Sequence, residues 1–179
     1  KLPRNADKLS PSNVVLSFLQ LKDADVDYVP INSYPMRYVG NHITDYFNED
    51  LRNDTQNING KSLNSLWNNL ETRKKLYEDA YMLKRQMLYL RGDYDHKTAE
   101  KTAFSKLTDQ DLKGTLQNSV FSNNQFKPFI AKLIYNYFDK KQGGIKQILD
   151  FSAGWGGRMV GAMSLNKNYI GIDPNTALK

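Results

Sequence analysis

Apolar side chains recur along this chain at two different spacings, and the change of spacing divides it. Between Ser62 and Leu90, the residues Leu66, Leu70, Leu76, Ala80, Leu83, Met87 and Leu90 recur at close to 3.6 positions, with Tyr77 and Tyr81 beside them. That predicts one long helix, capped by Ser62 and ended at Gly92. A weaker helical stretch from Lys97 to Gln117 is interrupted near Thr108 and Asp109, where a new N-cap is expected. From Gln125 to Lys140 a stripe of Phe126, Phe129, Ile130, Leu133, Ile134, Tyr137 and Phe138 predicts an amphipathic helix. Pro128 falls in its first turn, where a missing N–H costs nothing, and Gly143 and Gly144 end it. Upstream, Pro3 and Pro11 mark an extended arm, and Ser12 or Asn13 would cap a helix from Val14 to Lys22. Irregular structure or a short strand at Tyr28 to Ile31 is expected among Pro30 and Pro35, and then a short helix from Asn41 to Leu51.

After Ile145 the pattern becomes a short apolar run at Ile148, Leu149 and Phe151, a Gly-rich turn, a helix from about Gly157 to Leu165, and a second strand from Tyr169 to Ile172. The expected fold class is therefore α/β. A mostly helical region occupies residues 1–120, and residues 121–179 open a Rossmann-like sheet with its first β-α-β unit.

A chain of 179 residues suits one ordinary domain, or a small helical domain joined to part of a second. With 40% hydrophobic and 25% charged residues it can bury a core, and no run approaches a transmembrane span, so no membrane partner is expected. There are no cysteines, which fits a reducing compartment and a cytoplasmic location. The first residue is Lys1, with no charged and then apolar leader after it, which reads as a processed or trimmed start. A net charge of +6 is compatible with a polyanionic partner. Lys74, Lys75, Lys84 and Arg85 lie off the long helix's stripe and read either as a solvated face or as a surface contacting a nucleic-acid backbone.

The segment Asp150-Phe151-Ser152-Ala153-Gly154-Trp155-Gly156-Gly157-Arg158 stands where an apolar strand enters a helix, the context in which glycines let a backbone approach a nucleotide closely. It is not the dinucleotide fingerprint, because Met159 occupies the position of the third glycine. Nor is it a P-loop, because it lacks the Gly-Lys pair and the Ser or Thr that follows. Asp150 would end the first strand, placed to receive a ligand's ammonium or hydroxyl. Asp173, 23 residues on, would end the second, where such sheets place the carboxylate that binds ribose hydroxyls. The plainer reading is a tight strand-helix turn and nothing more.

With Ile148-Leu149 before it and Tyr169-Ile170-Gly171-Ile172-Asp173-Pro174-Asn175 after it, this segment resembles motifs I and II of class I S-adenosylmethionine-dependent methyltransferases. More narrowly, it resembles the DNA amino-methyltransferases of large DNA viruses and phages. The resemblance implies that Asp150, Ala153, Gly154 and Gly156 surround the methionine part of S-adenosylmethionine, that Asp173 holds the ribose, and that Ser152 and Asn175 also belong to the cofactor site. Asn124-Gln125-Phe126-Lys127-Pro128-Phe129 resembles motif X, which implies cofactor contacts from Phe126, Lys127 and Pro128; a helix start shaped for packing is the alternative. The order X before I suits amino-methyltransferases, with adenine N6 as target and DNA as partner.

The family's methyl-transfer motif, Asp/Asn/Ser-Pro-Pro-Tyr/Phe, is not here, since no Pro-Pro pair occurs, and the sequence stops six residues past Asp173. The expectation is a sheet completed by the remainder of the same protein or by a second chain. The competing expectation is a methyltransferase-derived scaffold without activity, a nucleic-acid-binding or virion structural protein, which would move the location to the virion or host cell. Methylation of RNA or protein shares motif I and stays open. Asp23, Asp25 and Asp27 begin like a calcium loop, but Tyr28 and Tyr34 occupy the positions that need glycine and glutamate. Gly92-Asp93-Tyr94-Asp95-His96 reads as a polar inter-helix loop before it reads as a metal site, and His42 is the only other imidazole.

Overall fold

A computed structural model describes residues 2–4, 9–27, 38–57, 59–92, 94–119 and 125–178. The strand or loop expected at Tyr28 to Ile31, Tyr34 of the calcium-like pattern, Asp93 of the inter-helix loop and Asn124 of the motif X string lie outside them. Among the described residues there are eight helices and two strands. They group into two compact units: residues 53–123 with 1–3, and residues 4–52 with 124–179. Residues 4–52 thus group with the Gly-rich segment and not with the helices that follow them.

In the first unit, α3 (Leu63–Asn68) and α4 (Leu70–Leu90) replace the single long helix expected from Ser62. Ser62 caps α3 through a reciprocal capping box with Ser65. Asn69 breaks the run. Its backbone is extended, it ends α3, and its side chain accepts from the Thr72 N–H at 2.9 Å to start α4. The break rotates the apolar stripe, so Leu63, Trp67, Leu76 and Ala80 share a core with Leu112 and Leu116, while Leu70, Leu83, Met87 and Leu90 are exposed. The interruption expected near Thr108 does separate α5 (His96–Ser105) from α6 (Asp109–Ser119). Thr108 and Asp111 exchange capping hydrogen bonds there. Lys84 is half-buried against the Asp111 carboxylate at 3.1 Å, whereas Lys74 and Lys75 are exposed.

In the second unit, α1 (Pro11–Asp23) starts earlier than expected, because Ser10, and not Ser12 or Asn13, accepts the capping bond, from the Asn13 N–H. α2 (Asn41–Asp54) follows, then α7 (Pro128–Gln142) with Pro128 at its first position. β1 (Gln147–Asp150), α8 (Gly157–Ser164) and β2 (Asn168–Gly171) complete the expected strand, turn, helix, strand order. Both strands lie one residue earlier than expected, starting at Gln147 and Asn168 and ending before Phe151 and Ile172. They are adjacent and parallel, with Ile148 opposite Tyr169 and Asp150 opposite Gly171. Ile148 is buried, but Leu149 and Ile170, which share the other face, are half exposed, as are Phe151 and Ile172 just beyond. Leu21, Phe129 and Val160 form the core, with Phe18, Ile43, Ile130 and Leu133 packed around them. α7 therefore buries one side of its stripe and leaves Ile134, Tyr137 and Phe138 outward.

One residue in this core is charged. Lys132 is buried among apolar neighbours, and its Nζ donates to the carbonyls of Leu21, Lys22 and Ala24 at 2.8, 2.9 and 2.6 Å. Those carbonyls end α1 and have no helical partner of their own, so the ammonium spends its three protons where the helix dipole is negative. Burial lowers the Lys132 pKa, and Asp23, Asp25 and Asp27 act against that lowering. Lys132→Met keeps the stem and removes the donors. It is expected to cost about 2–3 kcal/mol in denaturant unfolding, and a change under ~0.5 kcal/mol would show that the carbonyls find other partners.

Candidate functional site: the Gly-rich turn

The turn is held from three sides. From below, the two strands continue their ladder into it, since the Ile172 N–H donates to the Asp150 carbonyl at 2.8 Å and the Ala153 N–H to the Ile172 carbonyl at 3.1 Å. Gly154 and Gly156 then take the left-handed backbone region, at φ +56° and +80°, and Gly156 caps α8 without a side chain. This is why two glycines stand here.

From the β2 side, one Asp173 oxygen accepts from the Gly154 N–H at 2.8 Å and the other from the Asn175 N–H at 2.9 Å. Asp173 lies two residues past the end of β2, and it reaches the turn as expected. Asn175 does not: its side chain accepts from the Ala177 N–H at 3.1 Å and closes its own turn. The isolated Gly171 in β2 marks a close approach, because a Cβ there would lie 2.9 Å from that of Ala153 and 2.8 Å from the Tyr169 ring.

From the α7 side, the segment before Pro128 lies directly on the start of α8. A Cβ on Gly157 would sit 1.8 Å from the Phe126 carbonyl oxygen, and a Cβ on Gly161 would sit 2.6 Å from that of Ala131. The Arg158 guanidinium lies 5.2 Å from the centre of the Phe126 ring. Phe126 and Pro128 are thus brought to the turn. Lys127 turns its ammonium over the Tyr38 ring, 3.7 Å from its centre.

Asp150 is already engaged. One oxygen accepts from Arg158 Nε and from the Tyr169 hydroxyl, both at 2.5 Å, and the other from the Ser152 N–H at 3.1 Å. Arg158 also donates to the Ser152 carbonyl, which leaves the Ser152 side chain exposed. Burial pushes the Asp150 carboxyl up, but the bonds from Arg158, Tyr169 and Ser152 outweigh it and hold the pKa below the usual carboxylate range. Burial, then the hydrogen bond to Asp150 and its charge, push the Tyr169 phenol well above its ordinary value, and burial followed by the Asp150 charge raises Tyr135. The expectation that Asp150 stands open toward a ligand is therefore modified. Its first task is to tie strand, turn and helix together, and a ligand cation would have to share it with Arg158.

Gly157, Arg158 and Tyr169 belong to the strings that carry the resemblance, but none was singled out as a site residue. Gly157 had a legible signal, a third glycine with no turn to explain it. Beside the turn, α1, α2 and α8 enclose an apolar cleft of about 130 Å³ lined by Phe18, Phe47, Trp155, Met159 and Met163. Among the described residues no three His, Cys, Asp or Glu side chains gather as a metal site. Asp27 of the acidic alternation instead pairs with Lys140 and Asn136. His96 stacks on Tyr89. No helix among the described residues is long and apolar enough to cross a membrane.

Comparison of the chain with protein-family models, with curated proteins and with solved structures found no match.

Two outcomes test this geometry. Gly157→Ala must displace the Phe126 backbone, so it is expected to lower stability by about 1–3 kcal/mol in thermal or denaturant unfolding. Because the Asp150 pKa is lowered on folding, its bonds stabilise the protein above the ordinary carboxylate range and are lost as pH falls through the lowered value. The parent should thus lose stability progressively as pH falls below the ordinary aspartate range, about pH 4. Asp150→Asn should be less stable at pH 7 by about 2 kcal/mol and show a flatter acid limb. Parallel acid limbs would contradict the assignment.

Proposed function

We propose that the turn binds S-adenosylmethionine, with the backbone of residues 152–156 against the methionine part, Asp173 on the ribose and Phe126 to Pro128 closing the site. The observation that carries this is the convergence of the 125–128 segment, the turn and Asp173 on the carboxyl ends of two adjacent parallel strands, where open α/β sheets bind nucleotides. Two backbone features suit a ligand of this kind: glycines with positive φ and an N-terminal end of α8 that no side chain caps.

The reaction proposed is in-line transfer of the sulfonium methyl to an exocyclic amine of a DNA base, adenine N6 in the first instance. The methyl–sulfur bond breaks as the carbon–nitrogen bond forms. S-adenosylhomocysteine leaves, and the amine nitrogen loses a proton. Positioning and exclusion of water would carry most of the acceleration. The transfer step is assigned to the Pro-Pro-Tyr/Phe type of motif, which this sequence does not contain. The net charge of +6 and the exposed Lys74 and Lys75 support DNA as partner.

A second reading is favoured by one observation: both carboxylates already have protein partners, Asp150 in Arg158 and Tyr169, Asp173 in two backbone amides. On that reading the turn is structural and the protein is a nucleic-acid-binding or virion scaffold. Calorimetric titration with S-adenosylmethionine separates the two. The first reading expects binding that weakens at least tenfold in both Asp150→Ala and Asp173→Ala, about 1.4 kcal/mol or more each. Equal affinity in parent and both variants, or salt-sensitive DNA binding by a chain that takes up no S-adenosylmethionine, overturns it.

A further inference from the structure

α2 buries the wrong face for an ordinary amphipathic helix. Thr44, Asp45 and Asn48 are 2%, 8% and 4% exposed, while Tyr46 and Phe47 are 40% and 57% exposed. Three of these polar contacts have visible destinations. Gln125, immediately before Phe126, lies against α2 with its amide fully engaged. Arg52 Nη1 donates to its Oε1 at 2.9 Å, the Thr44 hydroxyl lies on the same oxygen, and its Nε2 donates to Asp45 at 3.2 Å. Those partners define which way the amide points, since only oxygen can meet Arg52 and only nitrogen can meet Asp45. Arg52 also pairs with Asp45, and both side chains are about nine-tenths buried. One turn along the same face, Asn48 Nδ2 donates to the Trp155 carbonyl inside the Gly-rich turn at 3.3 Å.

We propose that this inverted face of α2 is the positioning element of the ligand site: Thr44, Asp45 and Arg52 clamp Gln125, Asn48 clamps Trp155, and the helix between them sets the spacing of the Phe126–Lys127 segment and the turn. The Phe126 carbonyl against Gly157 and the Asp173 bond to Gly154 hold the two partners near one another, and the α2 hydrogen bonds add a fixed register to that closeness. α7 begins at Pro128 with no side-chain cap, and the turn's own glycines have no side chains to anchor it. A face of fixed hydrogen-bonding groups on one rigid helix does what packing against glycine cannot, because it specifies register as well as distance. As a statement about a ligand site the inference rests on the reading of the turn given above, but the clamp is a property of the protein alone.

The experiment uses the full chain and two variants that leave no buried charge unpaired. Gln125→Ala keeps the Arg52–Asp45 pair, and Asn48→Ala removes only a donor. Amide hydrogen exchange is followed in both, alongside His42→Ala, an exposed change on the same helix. The clamp predicts reciprocal effects. Gln125→Ala should speed exchange at residues 153–157 about tenfold, and Asn48→Ala should do so at 129–132, while His42→Ala changes neither. If each variant loosens only its own segment, the clamp is overturned. S-adenosylmethionine titration then separates the two claims. Reciprocal exchange effects with about tenfold weaker binding in each variant support both. Reciprocal effects in a parent that binds none leave the clamp standing and remove the proposed function. Unchanged binding in both variants, in a parent that does bind, overturns the positioning role.

Discussion

The contact between the Phe126 carbonyl and the Cα of Gly157 decides how the second unit is built. No other residue at 157 would let a backbone oxygen come so near, and the approach brings the first turns of α7 and α8 together. Gly161 repeats the arrangement one turn along, against Ala131 and the Pro128 carbonyl. With the two helices this close, Phe129 and Val160 can share a core with Leu21, and the sheet gains a packed face at Ile148. The same closeness sets Phe126 beside Arg158, and through Arg158 beside Asp150.

Electrostatics reinforce that backbone contact without replacing it. Asp150 collects a guanidinium, a phenol and an amide, so three elements depend on one carboxylate staying ionised. Asp173 does a similar service for Gly154. Lys132 serves as the counterpart in the core, one cation answering the carbonyls at the end of α1. In each case a charged side chain meets backbone groups that secondary structure has left without partners, which is the setting in which a buried charge stabilises instead of straining the fold.

What could be read from the residues in advance was local. The strand, turn, helix, strand order at the end of the chain was legible because the apolar run, the glycines and the second apolar run follow one another with nothing between. The break at Thr108 was legible because a capping residue stands there in a weak apolar pattern. The break at Asn69 carries the same kind of signal, but the leucines on either side keep almost perfect helical spacing and mask it. Lys132, Asp45 and Asn48 were illegible for a different reason. Polar residues on a helix read as solvated unless the partner that buries them is known, and those partners lie up to 111 positions away in sequence. Of the candidate site, Asp173 and the glycines were identified with their surroundings. The engagement of Asp150 by Arg158 was not, since spacing does not tell which way a guanidinium will turn.

The grouping of residues 4–52 with 124–179 has a consequence for how the chain acquires its structure. During synthesis α1 and α2 emerge before α7, the turn and α8, yet those later elements supply the surfaces that cover Leu21 and Asn48. The intervening residues 53–123 have their own core and need not wait. Closing so long a loop adds little equilibrium cost, because the entropy grows only with the logarithm of its length, but it does delay the encounter. The ribosome thus releases α1 and α2 before the partners of Leu21 and Asn48 exist, and the turn at residues 152–157 is shaped after them.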